Sequence, residues 1–403
     1  MKLSISPLAL LGIIPTVLAQ GPNVTFINGL LETLSNRNLS AFASVAQSLN
    51  GSGVGQYLLA NISNGEPHIL FVPTNEALAN APSNVTSDSA LLTDVIGYHI
   101  VPGNFTGKIP SFPNVTVGRT LLTDPRFVQL EGGNKAQVLV WSLRNDTTVV
   151  DFTNVGNVTI YIIDHVLSFP ESFALTVPTL NASLSSFETI TTQVQVPVYN
   201  ATSNSTSNTT LFEALNTEWH GFTLFAPTNS AIANVTSQLQ GLASNTTALE
   251  AVLFNHLING TTYYSPQLAN ANFTSAAGET LEVKINGTGQ FVTSGNTTAQ
   301  IVQSDVLLPN GVIHIIDKVL VNTESNPSAA SSALASATSA ATVVVTQTEP
   351  IGFSQTAALG SPSASITEGG TKTSGATINF GNAGTILGSV ILGLVGGGIA
   401  ALG

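Results

Sequence analysis

Two histidines and two aspartates stand at matching places in the two halves of the chain, and they are the residue types best suited to chemistry. His99 and His256 follow apolar helical patterns, whereas Asp164 and Asp317 follow apolar strand patterns. Imidazole and carboxylate groups transfer protons or bind metals where they meet in a cleft. Because apolar residues surround both histidines, we expect each ring to be buried and bonded to a backbone carbonyl or hydroxyl group. We expect both aspartates to bond nearby amides or a hydroxyl.

The motifs that position common catalytic groups do not occur in this sequence. It has no Gly-x-Ser-x-Gly, no His-Glu-x-x-His and no Walker loop, and the glycines of Gly51–Gly55 lack the spacing and acidic partner of a dinucleotide site. The six histidines form no pair at metal-ligand spacing. The chain has no cysteine, which excludes thiol nucleophiles, thiolate metal sites and disulfides. We expect no enzyme activity and no cofactor, although carboxylates distant in sequence can still meet as in a hydrolase.

Three phrases occur twice in the same order, and they place the histidines and aspartates within larger units. ILFVPTNEALAN from Ile69 matches TLFAPTNSAIAN from Thr223, 154 residues later. VIGYHIVPG matches VLFNHLING with an offset of 157, and VTIYIIDHVL matches GVIHIIDKVL with an offset of 153. Solenoid repeats recur every 20–50 residues, so this much longer period indicates two whole domains.

Each phrase predicts a local structure. The first phrase is a buried strand ended by Pro73 or Pro227, followed by a helix that the next residues can cap. These cap candidates are Thr74, Asn75, Thr228 and Asn229. The second phrase is the end of a helix that leads into a strand, and the third is a strand that ends at the aspartate.

The ends of the chain indicate a secreted and anchored product. Residues 1–19 carry one basic residue, Lys2, then an apolar run and a small-residue ending, which predicts a signal peptide cleaved after Ala19. The alternative is a membrane anchor, but the run is short for a bilayer. The Gly-rich apolar tail 385–403 follows a polar spacer and small residues, which predicts glycosylphosphatidylinositol (GPI) attachment at Ser374 or Gly375 and removal of 376–403. A single-pass helix is the alternative for this tail.

Sequons of the form Asn-x-Ser/Thr are dense between these ends, and behind a signal peptide they predict an N-glycosylated protein. The expected glycosylation sites are Asn23, Asn38, Asn50, Asn61, Asn84, Asn104, Asn114, Asn145, Asn157, Asn181, Asn200, Asn204, Asn208, Asn234, Asn245, Asn259, Asn272, Asn286 and Asn296.

The expected organisation is domain 1 at 20–170, domain 2 at 171–324 and a stalk at 325–375. The stalk is rich in Ser, Ala and Thr and almost free of aromatic residues, so we expect it to be disordered and O-glycosylated. The polar stretch from Tyr199, YNATSNSTSNTT, predicts a loop insertion in domain 2. A net charge of -12 and a pI near 4.7 argue against nucleic acid as a partner.

With these three phrases repeated in order, the chain resembles the fasciclin (FAS1) domain family, as a tandem pair. The resemblance covers about Thr25 to Val321 and implies an α+β fold in which each domain is a twisted β-sandwich or wedge flanked by helices. It also implies a role in adhesion and in matrix or cell-wall contact, and the chain ends resemble those of fungal cell-surface members. Domain 1 has Tyr98 and His99, whereas domain 2 has Asn255 before His256, so a binding role for this pair is less supported in domain 2.

We expect an adhesion protein at the outer face of the plasma membrane and in the cell wall, bound to it through a GPI anchor. The expected partner is a cell-surface or cell-wall protein or glycan, and no Arg-Gly-Asp tripeptide supports an integrin. The interaction residues that the motifs suggest are Tyr98, His99, His256, Asp164 and Asp317. Two alternatives remain open: a structural wall constituent whose anchor is transferred to glucan, and a protein that binds or hydrolyses wall polysaccharide.

Overall fold

The computed structural model describes most of the two predicted domains and the first part of the predicted stalk. The described residues are 21–106, 115–125, 127–128, 138–142, 149–180, 184–200, 205–242, 245–269, 271–342 and 346–352. The predicted signal peptide, anchor propeptide and attachment residues Ser374 and Gly375 lie outside these ranges. In the described part of the chain, no helix combines the length and apolar character needed to cross a membrane.

Domain 1 begins with helices, and its central strands follow. The helices are α1 (Val24–Asn36), α2 (Ser40–Ser48), α3 (Gly53–Ile62), α4 (Asn75–Ala79), α5 (Ser83–Ser87) and α6 (Ser89–Tyr98). The strands are β1 (His68–Pro73), β2 (Ile100–Pro102), β3 (Val115–Arg119), β4 (Val138–Ser142), β5 (Val149–Val155) and β6 (Val158–Ile163). The order of the main sheet is β2-β1-β6-β5, while β3 and β4 pair separately. β1 and β6 run parallel, and both β2 and β5 are antiparallel to their neighbours.

Strand β1 is buried on both faces, which explains why its sequence is continuously apolar. Leu70 and Val72 pack into the core beneath the helices. Ile69 and Phe71 pack into a second core on the opposite face of the sheet. The sheet is therefore the middle layer of the domain, and β1 delivers the first repeated phrase to its centre.

Domain 2 repeats this plan with a longer sheet. Its helices are α7 (Phe173–Thr176), α8 (Ser185–Thr191), α9 (Leu211–Glu213), α10 (Asn229–Asn234), α11 (Thr236–Leu242), α12 (Thr246–Phe254) and the later α13 (Pro327–Ala341). Its strands are β7 (Gln195–Asn200), β8 (Ser205–Thr210), β9 (Phe222–Pro227), β10 (Leu257–Ile258), β11 (Asn272–Thr274), β12 (Thr280–Asn286), β13 (Gly289–Ser294), β14 (Thr297–Leu307) and β15 (Gly311–Ile316). The sheet order is β10-β9-β15-β14-β13-β12-β11, with β9 and β15 parallel.

The long strand β14 lets this sheet fold over itself. Its register with β15 shifts twice, and Asp305 in the shifted region has the left-handed value φ 60°. Such irregularities bend a strand. As a result, β12 and β13 cover the face of β9 that carries Phe225, while Leu224 and Ala226 face the helices. This wedge of sheet and helices agrees with the α+β fold class that the family resemblance implies.

The polar stretch in domain 2 is not the loop insertion predicted from its composition. Tyr199 and Asn200 end β7, and Ser205–Thr210 forms β8, which pairs antiparallel with β7 over six residue pairs. The side chains of the first four β8 residues are exposed, so the strand needs no apolar residues there. Hydrogen bonding to β7 and the threonine content of the strand stabilise it instead.

The expectation of a disordered stalk from residue 325 is also wrong for its first part, because α13 forms there. Asn326 caps the helix by accepting a hydrogen bond from the Ala329 amide (3.1 Å), and Pro327 occupies the first turn. The Asn326 amide donates to the Ala277 carbonyl (2.7 Å), which ties the helix start to domain 2. Alanine is the strongest helix-forming residue, and this contact with domain 2 stabilises the helix further.

Candidate functional site

The first repeated phrase builds a corner between a strand and a helix in each domain. Thr74 Oγ1 accepts a hydrogen bond from the Ala77 amide (3.1 Å), and Thr228 Oγ1 accepts one from the Ala231 amide (3.2 Å). Both threonines therefore act as N-caps, as the sequence predicts. Their own amides donate to the last residue of the parallel neighbour strand, Ile163 or Ile316. The threonine thus connects the strand pair to the next helix.

The asparagine after each threonine caps a different helix. Asn75 Oδ1 accepts from the Ala41 amide (3.0 Å) at the start of α2, and Asn229 Oδ1 accepts from the Ser186 amide (2.8 Å) at the start of α8. Neither α2 nor α8 has a side-chain cap from its own N-cap residue. The asparagine supplies that missing acceptor from a distance, so the Pro-Thr-Asn corner joins a strand pair and two helices.

His99 is fully buried at the end of α6 and uses both ring nitrogens. Nδ1–H donates to the Val95 carbonyl (2.6 Å), and the Leu167 amide donates to Nε2 (3.0 Å). Since an amide can only donate, the ring is the neutral tautomer with its proton on Nδ1. Burial lowers the pKa of His99 to about 4, with the Val95 bond opposing that effect. The ring therefore joins the helix end to the segment after β6.

His256 repeats this arrangement in domain 2. Its Nδ1–H donates to the Val252 carbonyl (2.8 Å), and the Leu320 amide donates to Nε2 (2.9 Å). Burial lowers its pKa to about 4 as well. Both rings match the buried imidazole expected from the sequence, and neither has a nitrogen left for a substrate or metal.

Tyr98 and Asn255 occupy equivalent positions but bond differently. Tyr98 is 2% exposed, burial raises the pKa of its hydroxyl, and its ring contacts Phe169 with centroids 5.7 Å apart. Asn255 is fully buried, and its Nδ2 donates to the carbonyls of Asn322 and Glu324 (both 3.0 Å). Its Oδ1 accepts from the Ser275 hydroxyl (2.8 Å). The side-chain amide of Asn255 thus fixes the segment of domain 2 that leads to α13.

The two aspartates lie at the ends of equivalent strands. Asp317 Oδ1 accepts from the Gln300 amide (2.7 Å) on β14, which is the bond to a nearby amide that the sequence predicts. Asp164 Oδ1 contacts Nδ1 of its exposed neighbour His165 (2.7 Å). The structure therefore does not bring the predicted residues together into one site: each serves its own strand or helix end.

A buried Ser-Asp-His group in domain 2 escaped the sequence analysis. The Ser265 hydroxyl donates to Asp305 Oδ2, and its amide donates to Asp305 Oδ1 (2.7 Å). His314 does not contact this carboxylate through its ring: the Asp305 amide donates to Nδ1 (3.3 Å), and Nε2–H donates to the Tyr263 carbonyl (2.9 Å). A nucleophilic serine needs the imidazole as its base, and here the serine bonds the carboxylate. The group stabilises the bend of β14. Ser265 and Asp305 are 40 residues apart, and no sequence pattern links them.

Among the described residues, no group of three or more His, Cys, Asp or Glu side chains has an arrangement that could hold a metal ion. Four buried side-chain atoms in the same ranges have no hydrogen-bond partner: Arg119 Nη1, His220 Nδ1, Thr262 Oγ1 and Asn310 Oδ1.

The sequon asparagines whose side chains are described all reach the surface. Asn61 and Asn259 are half-buried, and the exposed ones are Asn23, Asn38, Asn50, Asn84, Asn104, Asn157, Asn208, Asn234, Asn245, Asn272, Asn286 and Asn296. Asn200 ends β7, and no side chain is described for it. Asn114, Asn145, Asn181 and Asn204 lie outside the described residues. Glycosylation at these positions stays a prediction.

Several large apolar side chains are exposed on β5. Val149, Val150 and Phe152 are 46%, 53% and 60% exposed, and we call these three residues the β5 face. β5 is the last strand of its sheet in the described part of domain 1. Single exposed apolar residues are ordinary, whereas a group on one strand marks a candidate contact surface. Val302 on β14 is exposed to the same degree, 53%, but no other large apolar residue of β14 is exposed.

Comparison with known proteins places the two domains in one family. A family model described as the fasciclin domain matches residues 39–169 and 197–322. The fasciclin-like arabinogalactan protein of Arthroderma benhamiae is 26% identical over 260 residues, which cover 62% of this chain and 55% of that protein. Human periostin is 33% identical over 112 residues, which cover 28% of this chain and 13% of periostin. The chain thus spans about half of the first relative and less of the second.

A solved structure, the FAS1 domain pair of the insect cell adhesion molecule fasciclin I, is also similar. It is 19% identical with a TM-score of 0.33, and the match covers 72% of this chain and 98% of the other.

Proposed function

Because the chain belongs to the fasciclin domain family, we propose that it is a cell-surface glycoprotein that mediates adhesion or contact with the cell wall. It acts through the outer surfaces of its two domains. One observation carries this proposal: the histidines of the repeated phrases have both ring nitrogens bonded inside the fold, and the Pro-Thr-Asn corners cap helices. With those polar groups occupied, recognition falls to exposed side chains and glycans.

Two further observations support this function. Exposed sequon asparagines occur in both domains, as expected of a protein that passes through the secretory pathway. The Arthroderma benhamiae relative is named a fasciclin-like arabinogalactan protein, and this name is compatible with a glycosylated product. The partner in this proposal is a protein or glycan of the cell surface or wall.

Attachment through a GPI lipid at Ser374 or Gly375 completes the proposal and places the domains on the extracellular face of the plasma membrane. The decisive experiment is extraction of the surface protein. Release by phosphatidylinositol-specific phospholipase supports the lipid-held adhesin. Release by glucanase alone makes the protein a wall constituent instead, and an intact C-terminal peptide containing Ile391–Gly403 would restore a single-pass helix.

The β5 face is the surface to test for adhesion. Cells that display the chain should aggregate or bind wall fragments, and replacing Val150 and Phe152 with serine should reduce this binding without changing the melting temperature, since both side chains are exposed. Val302→Ser is the matched control, because it removes an equally exposed valine from the corresponding sheet of domain 2. Equal loss in the control, or no loss in either, would remove the β5 face from the proposal. Sugar release by the purified chain would favour a hydrolase.

A further inference from the structure

The seam between the two domains contains a third component, the segment Thr346–Gly352, which we call the strap. Ile351 of the strap is 3% exposed. It belongs to one apolar cluster with Val117 of domain 1 and with Tyr264 and Val312 of domain 2. The strap therefore completes a small core to which both domains contribute, although its sequence lies beyond the end of domain 2.

Gln347 attaches the strap to domain 1 because its side-chain amide bonds backbone groups of two strands. Its Oε1 accepts from the Arg119 amide (2.7 Å), and its Nε2 donates to the carbonyls of Pro102 (2.8 Å) and Arg119 (3.0 Å). The side-chain amide thus satisfies backbone groups of β2 and β3, which a shorter or apolar side chain cannot do. Two backbone bonds extend the attachment, from the Asn104 amide to the Thr348 carbonyl (2.9 Å) and from the Ile351 amide to the Val117 carbonyl (2.8 Å).

Glycines let the strap approach both domains closely. A Cβ on Gly103 of domain 1 would lie 2.9 Å from the Thr348 carbonyl carbon, and one on Gly352 would lie 2.6 Å from Cβ of Pro266 in domain 2. Both distances are shorter than side chains tolerate. The strap is therefore held between the domains, with one neighbour on each side.

The closed seam also buries a charge at a cost. Arg119 Nη1 is buried and finds no hydrogen-bond partner among the described residues. Burial lowers the pKa of Arg119, and the nearby Tyr264 hydroxyl opposes this effect. A buried cation with an unbonded nitrogen regains water when the seam opens, so this residue favours release of the strap.

We propose that the strap is a releasable latch: it fixes the two domains relative to each other, and its release frees them and exposes the apolar surface formed by Val117, Tyr264 and Val312. The strap crosses the seam with few residues, whereas each domain has its own core. The latch therefore opens before either domain unfolds. If the protein is held by the C-terminal attachment proposed above, tension on that attachment reaches the strap before it reaches either domain. Only this effect of tension rests on the proposed function.

The absence of cysteine permits a direct test in the full chain, with spin labels at Ser44→Cys and Ser237→Cys on exposed positions of the two domains. We expect one narrow distance between the labels, and loss of that peak in favour of a broad distribution after Gln347→Ala with Ile351→Ser. Thr348→Ala is the control, since its side chain is exposed and only its carbonyl is used. Excess TQTEPIG peptide should restore the peak in the double variant. An unchanged narrow peak in that variant would overturn the latch.

Hydrogen exchange of the unaltered chain tests the same claim without a substitution. The amides of Asn104 and Ile351, which the strap protects, should exchange many times faster than those of β1 and β9. If the amides of Asn104 and Ile351 exchange at the same rate as those of β1 and β9, the strap leaves only on global unfolding, and this result contradicts the proposal.

A pulling experiment tests whether tension releases the strap before a domain unfolds. This experiment does not depend on whether the protein carries a lipid. The chain is held at Ser44→Cys and at its C-terminus. We expect a short lengthening at low force before the domains unfold, and its loss in the Gln347→Ala, Ile351→Ser variant. A first event that is already the unfolding of a domain would refute this effect of tension.

Discussion

At the scale of single residues, the Pro-Thr-Asn corner shows how one short phrase organises a domain. Asn75 accepts a hydrogen bond from the Ala41 amide of a helix that lies 34 residues earlier. We predict that Asn75→Ala lowers the free energy of unfolding by about 1 kcal/mol, the usual cost of a lost helix cap. Chemical denaturation of the full chain measures this change.

Asn75→Asp is the matched control, because a carboxylate keeps the acceptor for Ala41 and suits the positive end of a helix. This variant should lose less stability than the alanine variant. Equal losses would mean that the bond from Asn75 Nδ2 to the Ser40 hydroxyl (3.3 Å) matters more than the cap.

The two buried histidines make stability depend on pH. Their pKa falls from the ordinary 6.5 to about 4 in the folded protein. Between these values the unfolded chain binds protons that the folded chain does not, so the stabilisation is complete above pH 6.5 and is lost as pH falls towards 4. Each histidine contributes at most about 3 kcal/mol to this dependence. Unfolding curves from pH 7 to 4 should show it, and stability that rises on acidification would contradict it.

The separation of two bonded residues along the chain determines whether their hydrogen bond could be predicted from the sequence. The Thr74 cap joins positions three residues apart and follows from the pattern alone. The partners of Asn75 and of His99 Nε2 lie 34 and 68 residues away, where only the finished fold brings them together. The burial of His99 was predictable from its apolar neighbours, whereas the Leu167 amide that completes its bonding was not.

At the scale of elements, α13 depends on a glycine. Gly278 has φ +88°, and a Cβ there would lie 1.9 Å from the Asn326 carbonyl oxygen at the helix start. We predict that Gly278→Ala destabilises domain 2 and loosens α13, which hydrogen exchange of the helix can follow. Gly65 has the same φ +88° with open space around it, so Gly65→Ala isolates the backbone strain of about 1 kcal/mol. Similar losses at both positions would show that contact with α13 contributes little.

Elements with a clear apolar pattern were predictable, and elements without one were not. β1 and β9 are continuous apolar runs, and their sequences predict buried strands. β8 and α13 consist mainly of small or polar residues, and they form because β7 and domain 2 lie beside them. Composition alone therefore predicted a loop and a disordered stalk where neighbouring structure imposes order.

At the scale of the whole molecule, we expect domain 1 to fold by itself and the strap to stabilise it further. A fragment spanning 20–170 should show a cooperative thermal transition, because its core clusters draw on residues of domain 1 alone. Its melting temperature should lie below that of domain 1 in the full chain, since β2 and β3 lose their bonds to Gln347. A fragment without any transition would mean that the domains depend on each other to fold.

The repeated phrases build the fold, and we propose that adhesion depends on the outer surface of the domains. The most direct test measures melting temperature and adhesion together in His99→Ala, with His256→Ala as the equivalent change in domain 2. Each substitution leaves a backbone amide, that of Leu167 or of Leu320, without its acceptor in the interior, and we predict a loss of about 1 to 3 kcal/mol. Adhesion should then fall only as far as the folded fraction falls. A His99→Ala protein that keeps its melting temperature but no longer adheres would contradict the account and make the Tyr98–His99 region a binding site.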